Sequence, residues 1–262
     1  TPLLRRGDLE WPGHPEAADA TQFLFGDDLL VAPILEPADA DGVSRRTVWI
    51  PPGEWQEAWT GRIHRGPAVI GAACALEQIP VYIRRGGIVL HIPQRQVTGE
   101  AVWPELTAEA YAPSADGVRT RTVHENDGWS RAHETGQTAA TDVELSRSGD
   151  TLRLSVRPQP APEGIRPARR AWTLRLHLPP GAAVGDVRLD GCRLDAAEFV
   201  VFSPAEHPSA GLFTGPGAAP PPEAGAVVEW RGARPTNAPC ELAVEMRLAI
   251  GSMEKSQKVS IL

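Results

Sequence analysis

Apolar and polar positions alternate with a period of two along most of this chain, and the alternating runs are short. Arg46-Thr47-Val48-Trp49-Ile50 alternates up to Pro51-Pro52-Gly53, which reads as a turn. Pro80-Val81-Tyr82-Ile83-Arg84 is a second run, closed by Gly86-Gly87. Thr151 to Arg157 and Thr173 to Leu178 repeat the pattern, and the second ends at Pro179-Pro180-Gly181. Half-buried strands at this spacing predict antiparallel sandwiches. Leu29 to Ile34 is different: a continuous apolar run, as expected of a strand covered on both faces. One helix is predicted, from His14 to Phe25, with Pro15 near its start and Gly26 to stop it.

Composition narrows the picture without naming a function. The 262 residues suffice for one large domain or two ordinary ones. Hydrophobic residues at 42% and charged residues at 23% suit a globular protein. The net charge is −7, and no basic cluster runs over five to eight residues, which argues against a nucleic-acid partner. No stretch approaches the ~20 apolar residues of a membrane span, so no membrane role is expected. Of 26 basic residues only Lys255 and Lys258 are lysines, a bias that suggests a GC-rich bacterial source. Thr1-Pro2-Leu3-Leu4 reads as mid-chain sequence, with no secretory signal in view. Cys74, Cys192 and Cys240 are odd in number and far apart, which suggests buried thiols and favours a cytoplasmic compartment over an oxidising one. Pro158 to Pro167 and Gly215 to Gly225 read as Pro-rich loops, and residues 252–262 as a loosely ordered tail.

Five stretches carry a family resemblance. Gln22-Phe23-Leu24-Phe25-Gly26-Asp27-Asp28-Leu29-Leu30-Val31-Ala32-Pro33-Ile34 resembles a signature of glycoside hydrolase family 31, the α-glucosidase family. Val48 to Trp55, Ala58-Trp59-Thr60-Gly61 and Leu76 to Ile88 resemble elements that follow it in that family, and His124 to Ser130 resembles the turn of its distal sandwich. The order agrees over residues 22 to 130; beyond 140 only the richness in strands does.

The resemblance implies a mainly β chain: two antiparallel β-sandwich domains, proximal and distal, preceded by the last strand and helix of a truncated (β/α)8 barrel. Residues 1–35 would end the barrel, 36–100 form the proximal sandwich and 101–262 the distal one. The parent enzyme would hydrolyse O-glycosyl bonds of an α-glycoside with retention, through a covalent glycosyl–aspartate. Its partners would be that carbohydrate and the upstream barrel of the same protein. The family's nucleophile and acid/base aspartates have no counterpart here, so the chain alone is expected to be inactive and to act as a scaffold. The alternative is a non-catalytic carbohydrate-binding module.

Retaining glycosidases need two carboxyl groups ~5–5.5 Å apart. Asp27 and Asp28 are adjacent and suit turn and capping roles, and Glu125 with Asp127 flanks an Asn126-Gly128 turn, so no catalytic residue is assigned. His64, His91, His124 and His133 show no metal-ligand spacing, so no metal and no cofactor is expected. Trp55 and Trp59 are the candidates for stacking on a pyranose, with Trp103 behind them; core packing is the competing reading.

Overall fold

The computed structural model describes residues 2–40, 42–75, 78–93, 103–202 and 225–248. The tail, most of the 215–225 loop and Leu76-Glu77 lie outside those residues. Among the described residues seventeen strands are formed: β1 (Leu4–Arg5), β2 (Phe23–Phe25), β3 (Leu29–Val31), β4 (Ser44–Glu57), β5 (Ile63–Cys74), β6 (Val81–Arg84), β7 (Ile88–His91), β8 (Glu105–Tyr111), β9 (Gly117–Glu125), β10 (Ala139–Ser148), β11 (Thr151–Pro158), β12 (Arg169–His177), β13 (Ala182–Leu189), β14 (Cys192–Arg193), β15 (Val200–Phe202), β16 (Val227–Pro235) and β17 (Cys240–Leu248). They make three sheets, in the orders β1-β2-β3-β6-β4-β5, β14-β13-β17-β11-β10-β9 and β15-β16-β12-β8-β7.

The second and third sheets lie face to face over one core. Ala108, Ala110, Leu174, Leu176 and Val228 from one meet Val143, Leu145, Leu152, Leu154, Leu242 and Val244 from the other. Each set is one side of a period-two pattern, as the alternation in 151–157 and 173–178 predicts. Pairing is antiparallel except between β8 and β12, which run parallel. The expected all-antiparallel arrangement fails there because β9, β10 and β11 cross to the other sheet before the chain returns as β12.

The first sheet takes in β1 to β6, so the boundary expected at residue 35 runs through a continuous ladder: β3 pairs with β6, and β6 with β4. β7, expected in the proximal sandwich, pairs with β8 of the third sheet instead. The β4–β5 hairpin does not turn at Pro51-Pro52-Gly53 but bulges there, with its register shifted between Ile50 and Gly53. Two successive prolines cannot donate to a ladder, so the strand bends and continues. Across the bulge Gly66 packs so close that a Cβ would overlap the Pro51 carbonyl. The bend brings Val48, Ile50 and Ala72 into one core with Leu24, Leu30, Trp55 and Tyr82.

The predicted helix is absent. Pro15–Ala18 is a single 3-10 turn, and Phe23–Phe25 is strand. Asp19 accepts hydrogen bonds from the Thr21 amide (2.8 Å) and hydroxyl (2.6 Å), a local alternative to the helical ladder. Gln22 then exchanges two 3.0 Å hydrogen bonds with the Trp49 backbone, which draws the chain onto β4.

Candidate functional site

The Asp27-Asp28 pair lies in the turn between β2 and β3, where Gly26 takes a positive φ of 64°. Turn residues do not alternate as strand residues do, and both carboxylates reach the same guanidinium: Arg121 Nη2 stands 3.1 Å from Asp27 and 2.9 Å from Asp28. Asp28 is buried and also accepts from Arg119 and from the Ile88 amide at 3.1 Å. It belongs to the first sheet, Ile88 to the third, and Arg119 and Arg121 to the second. One carboxylate therefore fastens all three sheets at their seam. Gly87 permits the approach: a Cβ there would stand 2.7 Å from the Arg84 carbonyl and 3.0 Å from Asp28 Cβ.

Asp27 faces outward and pairs with Arg5 at 2.6 Å. Partial burial works against its charge, but the Arg5 hydrogen bond and the positive charges of Arg121, Arg5 and Arg119 hold its carboxyl below the usual range. Asp27 therefore does not suit proton donation, which needs a carboxyl held protonated near neutral pH. The turn role expected for the pair is met, but the cross-sheet anchoring by Asp28 was not anticipated. Arg119 and Arg121 stand two residues apart on one face of β9, and that spacing is the signal the sequence carries.

Glu125 is the second such anchor. Arg170 approaches it with both terminal nitrogens, one at 3.0 Å, and donates its Nε to the Trp103 carbonyl at 2.8 Å. Both partners are almost fully buried. The Asx-type turn expected beyond Glu125 is formed, with the Gly128 amide donating to Asn126 Oδ1 at 2.8 Å. A third buried carboxylate, Glu109, receives His91 Nε2 at 2.9 Å, His177 Nε2, and the Tyr111 hydroxyl at 3.3 Å. Burial opposes its ionisation, yet the His177 charge and hydrogen bond, with those of His91, push its pKa far down. Tyr111 stacks on His177 at 4.1 Å.

The tryptophan candidates part company. Trp55 is fully buried: its indole N–H donates to the Pro51 carbonyl at 3.1 Å, and Arg84 lies 4.6 Å over its ring. Trp11 packs edge-on at 6.5 Å on the same ring. No face of Trp55 is presented to solvent. Trp59 is half-buried and donates to the Ile79 carbonyl at 2.6 Å. Trp103 packs on the sandwich core. The structure does not gather these rings into one surface.

What the first sheet does present is an apolar edge. β1 is its end strand, paired only to β2. Leu3 (60%), Leu4 (57%), Leu9 (69%) and Phe25 (42%) are exposed around it. Beside them runs a groove of about 420 Å³ lined by Pro2, Leu3, Phe25, Leu29, Val89 and Leu90, with Arg5, Asp27 and Arg121 among its polar groups.

Comparison with known proteins gives this geometry its relatives. Residues 1–89 match the family described as "Glycosyl hydrolase family 31 C-terminal domain". Alpha-glucosidase 2 of Bacillus thermoamyloliquefaciens is 23% identical over 207 residues, 79% of this chain and 24% of that protein. A 1,3-alpha-isomaltosidase of Kribbella flavida is 38% identical over 85 residues, 32% of this chain and 11% of that enzyme. A GH31 dextranase of Flavobacterium johnsoniae superposes with a TM-score of 0.69 at 22% identity, covering 93% of this chain and 29% of the dextranase. That likeness is one of fold, and it reaches into the distal sandwich. The chain spans less than a third of the length of each of these relatives.

Proposed function

With the chain identified as C-terminal sequence of glycoside hydrolase family 31, we propose that it is the non-catalytic scaffold of a retaining α-glycosidase, docked through its N-terminal edge onto an upstream (β/α)8 barrel. The observation that carries this is the apolar edge: four large apolar side chains, Leu3, Leu4, Leu9 and Phe25, lie 42–69% exposed around the end strand β1. Soluble proteins manage such edges by covering them. The groove beside that edge, lined by Pro2, Leu3, Phe25 and Leu29, extends the apolar surface that such an occupant would cover. Relatives three or more times longer have the chain length to supply it.

The chemistry divides accordingly. The upstream barrel supplies nucleophile and proton donor, while this chain closes the barrel's flank and, through the Asp28 seam, holds the distal sandwich at a fixed angle to it. The substrate class is an α-glycoside. Co-expression of the chain with the separately encoded upstream part should give a complex that co-purifies and turns over an aryl α-glucoside, whereas the purified 262-residue chain should turn over none. Charging the edge by Leu4→Asp with Phe25→Asp should abolish the complex. Turnover by the chain alone, or a complex indifferent to those charges, overturns the proposal.

A further inference from the structure

Trp129 is the most exposed of the large hydrophobic side chains among the described residues, at 80%. We propose that it is a surface platform on which the distal sandwich binds one pyranose unit of an α-glucan chain, outside the catalytic barrel.

The first argument is how the ring is held. Asp127 Oδ1 accepts from the amides of Trp129 (3.3 Å) and Ser130 (3.1 Å), its Oδ2 accepts from the Ser130 hydroxyl, and Asn126 pins the Gly128 amide. Ser130 Oγ in turn accepts from the Ala132 amide at 3.1 Å. The backbone under the indole is thus fixed before any ligand arrives, and little ordering entropy is left for binding to offset. A tip built merely to link β9 to β10 needs none of this to carry an indole, and exposing so large an apolar ring is the unusual observation.

The second is what surrounds it. Between Glu125 and Ala139 the sequence carries charged and hydrogen-bonding residues, Asp127, Ser130, Arg131, His133 and Glu134 among them, with Trp129 as its one large apolar residue. A protein partner favours an aromatic anchor inside a wider apolar patch of several hundred Å². A pyranose wants the opposite mixture: one flat apolar surface for its C–H face and nearby carboxylate, hydroxyl and guanidinium groups for its hydroxyls. Ser130 holds the Asp127 carboxyl below its usual range, so an anionic acceptor is present at neutral pH.

The third is position. β9 carries Arg119 and Arg121 at the seam, and Glu125 lies four residues further, roughly 13 Å along the strand. Trp129 lies four residues beyond Glu125, past the end of β9 that leads away from the Asp28 seam. The choice of an α-glucan rests on the proposed substrate class of the parent.

Native gel electrophoresis of the 262-residue chain through gels cast with dextran, with soluble amylose, with a β-glucan, or with no polysaccharide tests this. A single stacking site should bind weakly, with Kd on the order of mM. Retardation is expected in an α-glucan gel, none in the β-glucan gel, and Trp129→Ala should migrate as in the plain gel with an unchanged circular dichroism spectrum. Absence of retardation, retardation in the β-glucan gel alone, or retardation that survives Trp129→Ala overturns the proposal. Co-purification with the upstream part reports the scaffold role separately, so the two readings fail independently.

Discussion

Asp28 and Glu125 do the same work in two regions of the molecule, and their surroundings make the results unequal. Each is a buried carboxylate collected by arginines from another sheet. At the seam, the arginines around Asp28 stay partly wet: the side chains of Arg119, Arg121 and Arg84 are 34%, 25% and 22% exposed. Inside the distal sandwich Arg170 is 1% exposed and its neighbour Arg166 is 8%. A charge that keeps contact with water loses little when its partner goes; a sealed one is stranded. The seam is therefore a water-screened joint between units, and the Glu125–Arg170 pair is a sealed rivet within one.

The largest expected effect follows from the rivet. Arg170→Met should destabilise the distal sandwich by about 3–5 kcal/mol, because Glu125 is left charged, buried and short of donors. Pairing it with Glu125→Leu should recover much of that loss, since a well-packed apolar pair removes the stranded charge. Urea unfolding of the three variants checks both statements. A double variant as unstable as Arg170→Met would show that the pair contributes more than charge satisfaction.

Glu109→Gln comes next, at about 2–3 kcal/mol, because a neutral amide replaces a carboxylate that holds three donors. It also carries a pH signature. The carboxyl is depressed in the folded state, so its stabilising contribution is complete above its ordinary value near 4.5 and drains away as pH falls through the lower folded value. The wild-type chain should lose stability with acid below about pH 4.5, and Glu109→Gln should lose less over that interval. Stability curves of the two proteins running parallel from pH 5 to 2 would contradict this.

At the seam the effect is smaller and of a different kind. Asp28→Asn keeps an acceptor for the Ile88 amide and costs about 1–2 kcal/mol. The exposed arginines make that cost salt-dependent: it should shrink between 0.01 and 1 M salt, over which screening shortens from about 30 Å to 3 Å. The cost of Arg170→Met should hardly move. Equal salt dependence in the two would erase the distinction between joint and rivet.

Legibility in the sequence divides along the same line. Alternation marks β11 and β12 of the distal sandwich, since Leu152, Leu154 and Val156 of the first and Leu174 and Leu176 of the second fall on buried positions. The apolar run from Leu29 foretold a strand covered on both sides, though only Leu29–Val31 is strand. What escaped is long-range. Nothing local says that Asp28 meets arginines more than 90 residues away, or that Gln22 grips β4 and so turns a helix-forming stretch into strand. Pro51-Pro52-Gly53 has the composition of a turn, and only the pairing of its flanks with β5 makes it a bulge. Trp55 and Trp59 stand four residues apart in the sequence, but the strand that follows the bend carries Trp55 into the core and leaves Trp59 half-buried.

Trp129→Ala should give the smallest change of all, within about 0.5 kcal/mol of wild type, since a ring exposed at 80% has little packing to lose. The expectation is pointed because the same substitution at Trp55 opens a cavity in a sealed core. If Trp129→Ala were destabilising by 2 kcal/mol or more in urea, the ring would be a packing element, and both its exposure and its role as a glucan platform would be wrong. If stability is unchanged while retardation by α-glucan is lost, the ring has no structural use that could explain the effect. The distal sandwich would then contain two kinds of side chain at one end of β9: Glu125, which holds the fold together, and Trp129 just past it, which the fold holds out.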